Sequence, residues 1–82
     1  MLGGWKATDS PRMSDEATAA FEKAMEGFAG VGYEPLACLA AQLVSGTNYA
    51  ILCKAQVVYP DAQPYYAIVY IYENLEGNSQ IL

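Results

Sequence analysis

The chain contains no histidine. That absence removes the ordinary Ser-His and Cys-His nucleophile pairs. It also removes the common zinc-ligand sets, and no Cys-x-x-Cys replaces them, because the two cysteines, Cys38 and Cys53, stand far apart. The carboxylates do not assemble a catalytic pair either. Asp15, Glu16, Glu22 and Glu26 fall on a helix that should be solvated, and Glu73 and Glu76 flank a turn. Neither an enzyme nor a metal or cofactor site is expected.

Basic residues are also scarce, four against nine acidic ones, for a formal charge of −5. A nucleic-acid binder needs a Lys/Arg surface for the phosphates, and an anionic membrane makes a similar demand, so neither is an expected partner. No apolar run approaches the roughly 20 residues that cross a bilayer. Met1-Leu2-Gly3-Gly4-Trp5 lacks the basic start and apolar middle of a signal peptide, so the chain reads as soluble and mature. With 82 residues there is room for one domain, residues 1–82. A domain of this size buries only about 60% of its unfolded surface; the 54% hydrophobic content is ample for that.

What is present falls into alternating blocks. Residues 1–12 read as irregular, with a flexible Gly3-Gly4 and a turn or helix-entry signal at Asp9-Ser10-Pro11. Trp5 carries enough apolar area to pack on the body of a small domain. Ser14 is a candidate N-cap, and Asp15 and Glu16 complement the positive end of a helix dipole. Ala17, Ala20, Phe21, Ala24, Met25 and Phe28 recur at three- and four-residue steps, while Glu16, Thr18, Glu22, Lys23 and Glu26 face water. That stripe is a core face, not a cofactor box, and Gly27, Gly30 and Gly32 end the helix.

Two apolar runs, Tyr33 to Ala41 and Ala50 to Tyr59, read as strands joined through Gln42-Leu43-Val44-Ser45-Gly46-Thr47-Asn48-Tyr49. This stretch is a hairpin tip in which Ser45-Gly46 turns the chain and Gly46 supplies a positive φ. Ala37, Leu39, Ala41 and Leu43, with Tyr49, Ile51, Cys53, Ala55 and Val57, form the inward set. A symmetric two-residue loop would place Cys38 opposite Cys53, close enough for a disulfide. Pro60 to Pro64 break the sheet. A third strand, Tyr65 to Glu73, points Ala67, Val69 and Ile71 inward and leaves Tyr66, Ile68, Tyr70 and Tyr72 outside. With Leu52, these make an apolar outer face where a one-sided sheet normally shows polar residues. Such a face marks an interface or a second layer, or it reflects tyrosine's tolerance of half-exposure. Leu75-Glu76-Gly77-Asn78 is a second turn, and Ser79-Gln80-Ile81-Leu82 begin a short final strand.

Gln42-x-Val44-x-Gly46 resembles the first-hairpin motif of the cystatin family of cysteine-protease inhibitors. Its continuation through Thr47, Asn48 and Tyr49 makes it most similar to the single-domain stefin branch. The motif sits after a helix and between two long strands, with Gly3-Gly4 near one end of the chain and Leu75-Glu76-Gly77 near the other. Those are the places where cystatins carry their binding elements.

The resemblance implies an α+β fold, one α-helix packed across a four-stranded antiparallel sheet, with a last strand that is shorter here than cystatins usually have. In the family register Cys38 points outward and Cys53 inward, which implies two free thiols. Gly4 corresponds to the glycine of an N-terminal trunk on the non-primed side of a protease cleft. Gly3, Gly4, Gln42, Leu43, Val44, Ser45, Gly46, Leu75, Glu76 and Gly77 would then form a wedge that binds a papain-like cysteine protease tightly and reversibly. In this scheme Gly46 provides closeness to the enzyme, Leu43 and Val44 offer apolar contact, and Gln42 braces the turn through hydrogen bonds to backbone. A stefin-like protein would be cytoplasmic. Glu76 departs from the stefin pattern, which has proline in this turn, so rigidity is lost and a charge is added. A second reading is a non-inhibitory cystatin-fold interaction or assembly module, supported by the apolar outer face and the short last strand. Family members also exchange the helix and first strands between two copies by straightening the first hairpin, which would give a domain-swapped homodimer.

Overall fold

A computed structural model describes residues 4–28, 30–57 and 59–82. Helix α1 spans Asp15–Met25. The Ser14 Oγ accepts the Ala17 N–H at 3.1 Å, and Asp15 and Glu16 lie in the first turn with Lys23 in the last. Both helix ends are therefore complemented in charge, and the first is capped as expected. Ala17, Ala20 and Phe21 are buried, and Ala24 and Met25 are half-buried. Phe28 leaves the stripe, because Gly27 at φ +75° turns the chain after the last helical residues. It is exposed and stacks on Tyr33 with ring centroids 5.8 Å apart.

Five strands form one antiparallel sheet in sequence order: β1 Trp5–Ala7, β2 Val31–Val44, β3 Gly46–Val57, β4 Tyr65–Glu73 and β5 Ser79–Ile81. The sheet has one strand more than the four expected. The addition is β1, which lies in the segment read as irregular and pairs Trp5 with Gln42 and Ala7 with Ala40. Trp5 meets Tyr70 edge-on with centroids 5.7 Å apart. The small Ala40 and Ala50, paired with each other between those two rings, leave the room for that contact.

β2 and β3 pair from Val31↔Val57 to Val44↔Gly46, with register shifts between Pro35 and Ala37 and between Cys38 and Ala40. Each shift moves the in-out alternation by one residue. Cys38 consequently pairs with Ile51 and is buried on that residue's side of the sheet, where an outward position was expected. The bulged strand also satisfies the segment before the helix. The Cys38 N–H donates to the Pro11 carbonyl at 2.9 Å, and the Thr8 Oγ1 donates to the Cys38 carbonyl at 2.7 Å. Cys53 pairs with Pro35, and both thiols are free.

The core joins Ala20 and Phe21 of the helix to Ile51, Cys53, Val69 and Ile71 of β3 and β4, with Met13, Met25, Tyr49 and Ile81 packed against them. Ile51 and Ile71 are fully buried, a contribution of roughly 2 kcal/mol each. Burial also pushes the Cys53 thiol from 9.0 up to about 11. Unfolded chains ionise this thiol first, so the native state binds more protons between those values. Stability is full below pH 9.0 and declines as pH rises toward about 11. Urea midpoints taken across that window should fall, and Cys53→Val, close in volume, should flatten the fall. An unchanged pH slope in that variant would disprove the assignment to Cys53.

Candidate functional site

The molecule is 46 Å along its longest axis, about the length of a 14-residue strand such as β2 at about 3.3 Å per residue. In an antiparallel meander alternate connections fall at the same end. The β2–β3 hairpin and the β4–β5 turn therefore share one end of the sheet, and β1 brings Gly4 there too, because Trp5 pairs with Gln42. The candidate residues Gly4, Gln42–Gly46 and Leu75–Gly77 thus converge on one ridge. Gly3 lies outside the described residues.

The hairpin is tighter than the sequence suggests. Pairing continues through Leu43↔Thr47 and Val44↔Gly46, so Ser45 stands alone at the apex and most of the stretch from Gln42 to Tyr49 is strand. Gly46 adopts φ +113°, the positive value expected of it. It is nevertheless buried. A Cβ there would overlap the Glu73 carbonyl and lie 3.0 Å from the Asn74 Cα and 3.1 Å from the Tyr72 ring. The close approach made by Gly46 is therefore to β4, inside the molecule. Beside it the Tyr72 hydroxyl donates to the Ser45 carbonyl. These two contacts lock the hairpin to its neighbour. Across the strands, Asn48 Nδ2 donates to Gln42 Oε1 at 3.0 Å, a brace between side chains.

The second turn is held without proline. Asn74 Oδ1 accepts the Glu76 and Asn78 N–H groups, both at 2.9 Å, and the Gly77 N–H donates to the Asn74 carbonyl at 3.1 Å. Lys23 Nζ donates to the Gly77 carbonyl at 2.7 Å, which ties the turn to the helix. An Asx-type turn therefore restores the rigidity that Glu76 was expected to remove. The locked turns leave two leucines projecting, Leu43 at 70% and Leu75 at 82% exposure. Ser45 and Glu76 are exposed, and Val44 and Gly77 are half-buried.

Beside the ridge lies a groove of about 310 Å³ lined by Gly4, Lys6, Ala41, Leu43 and Thr47. Burial first, and then the Glu73 carboxylate, push the nearby Tyr49 phenol up, so it stays uncharged at neutral pH. A larger cavity of about 630 Å³, lined by Gly32, Gln56, Val57, Tyr59 and Pro60, is at the opposite end and holds no acid-base pair. Among the described residues no group of three or more His, Cys, Asp or Glu could hold a metal ion.

Four residues that shape the ridge were not among the binding residues expected from the sequence: Lys23, Asn48, Tyr72 and Asn74. Asn74 had a readable signal, an asparagine opening a turn that ends in glycine. Tyr72 and Lys23 act on carbonyls 27 and 54 residues away, for which no local pattern exists. No protein-family model, curated protein or solved structure matches this chain.

Proposed function

We propose that this protein is a cystatin-like, reversible inhibitor of papain-like cysteine proteases that inserts the ridge into the enzyme's cleft. The observation that carries this reading is the convergence of Gly4, the Ser45 apex and the Leu75 turn at one end of a rigid sheet, with two leucines exposed. Binding by such a wedge needs no catalytic group. Leu43 and Leu75 are apolar anchors, and burying each contributes roughly 2 kcal/mol. Both turns are already locked, so little conformational entropy is lost on docking. The Val44-Ser45-Gly46 backbone is bent and held by Tyr72. It is not offered as an extended segment that a protease could cut.

Titration of the monomer against papain tests the reading. Inhibition should be reversible and stoichiometric, and failure to slow the enzyme at micromolar concentration would reject it. A second reading, a non-inhibitory assembly module, is favoured by the outer face, where Trp5, Ile68 and Tyr70 are 43%, 48% and 45% exposed and Tyr66 is 71% exposed. A domain-swapped homodimer of that kind would straighten the hairpin at Ser45 and be inactive, whereas the wedge acts as a single chain with its apex free.

A further inference from the structure

The apex of the β2–β3 hairpin is held from β4. Val44 pairs with Gly46, so Ser45 alone turns the chain. Gln42, Asn48 and Tyr72 stand in one row across the sheet, since Gln42 pairs with Asn48 and Asn48 with Tyr72. Asn48 Nδ2 donates to Gln42 Oε1 within that row. Tyr72 reaches past it, and its hydroxyl donates to the Ser45 carbonyl, 27 residues away in sequence.

Glycine at position 46 makes that reach possible. A Cβ there would lie 3.1 Å from the Tyr72 ring, closer than ordinary carbon–carbon contact, and would push the ring off the apex. The carbonyl that Tyr72 holds belongs to the Ser45–Gly46 peptide bond. Gly46 follows it at φ +113°, far from the φ of an extended strand. The bond at the tip is therefore tied to β4 through its oxygen and bent on its nitrogen side.

Cutting this bond would need its oxygen elsewhere. The thiolate of a cysteine protease must add to the Ser45 carbonyl carbon while enzyme donors, at about 2.7–3.1 Å, receive the oxygen on which charge develops. The Gly46 nitrogen then leaves with a proton from the enzyme's imidazolium, and water releases Ser45 from the thioester as a carboxylate. While the oxygen accepts from Tyr72, enzyme donors reach it only if the carbonyl turns away from β4.

We propose that Tyr72 is a positioning residue that keeps the Ser45–Gly46 bond from becoming a substrate, so that the ridge occupies a papain-like cleft without being consumed. The role rests on the inhibitory reading, which puts the apex beside the enzyme's nucleophile. One hydrogen bond of this kind shifts an equilibrium roughly two- to tenfold, and the released apex gains that factor when the hydroxyl is removed. Tyr72 lies outside the hairpin motif and acts from a different strand.

Tyr72→Phe keeps the ring beside Gly46 and removes only the donor. Incubated with papain, the whole chain carrying this change should inhibit at mixing as the unmodified protein does, then lose inhibition as it is cut. Mass spectrometry should place the cut between Ser45 and Gly46, at a rate roughly two- to tenfold above that of the unmodified chain. Ile51→Val takes one methylene from a fully buried side chain, a loss of similar size, and should leave the bond as resistant as before. Urea midpoints of the two variants should therefore be close to each other. Inhibition at mixing by both the unmodified and the Tyr72→Phe chains, with equal cutting of the bond, overturns the role of Tyr72 and leaves the inhibitory reading standing. So does cutting elsewhere than at Ser45–Gly46, or an Ile51→Val chain cut as fast as Tyr72→Phe. Absence of inhibition at mixing in the unmodified chain rejects the inhibitory reading itself, and the role with it.

Discussion

Gly46→Ala is expected to lower the stability of the fold by about 3 kcal/mol or more. Two costs add. At φ +113° any residue with a Cβ is strained, and the Cβ itself would overlap the Glu73 carbonyl. Relief requires either the hairpin or the end of β4 to retreat, and that movement would also break the bond between Tyr72 and the Ser45 carbonyl. For a domain of this size about 3 kcal/mol is a large part of the total. Urea unfolding should show a lower midpoint with an unchanged slope. A loss below about 1 kcal/mol would mean that the hairpin yields easily and that the lock with β4 is weak. Because Gly46 is buried, its substitution tests the scaffold of the ridge, and loss of inhibition in that variant would not by itself locate a contact.

The contact is tested at the exposed leucines. Leu43→Asp and Leu75→Asp should each weaken papain binding roughly thirtyfold, the size of an interface anchor. The double variant should lose close to the product of the two, since the residues sit on separate turns. Both side chains stand largely in solvent, so the unfolding midpoint should move by less than about 0.5 kcal/mol equivalent. Inhibition constants for the four proteins, measured beside their urea midpoints, separate a binding effect from a folding one. If the double variant inhibits as well as the unmodified chain, the ridge is not the binding surface. Glu76 adds a signature of its own. Its charge opposes an acidic primed side, so Glu76→Gln should bind such a target more tightly at low salt than at high salt, relative to the unmodified protein.

Much of the fold was legible because it rests on local chemistry. The serine cap and the three- and four-residue apolar steps mark α1. Alternation and the flanking Pro64 mark β4, found at Tyr65–Glu73 as expected. β1 was missed because three residues, Trp5-Lys6-Ala7, are too few to show a period. Cys38 was placed on the wrong side because two bulges interrupt an alternation that is unbroken in sequence. The ridge was legible as a set of residues, since Gly4, Ser45 and Leu75 each occupy a turn or an end. The locks between its parts were not.

Taken alone, the sequence determined the helix, the strands β2 to β5 and the turns between them, and its lack of histidine leaves it without the ordinary histidine-based nucleophile pairs. Those properties follow from capping, periodicity and side-chain inventory, each set within a few neighbouring residues. The tertiary structure alone decided that Gly46 is a packing residue beneath the apex and that Asn74, Tyr72 and Lys23 hold the turns. These depend on which backbone groups meet across the sheet. Such meetings are settled by register and strand order, which a one-residue bulge is enough to change.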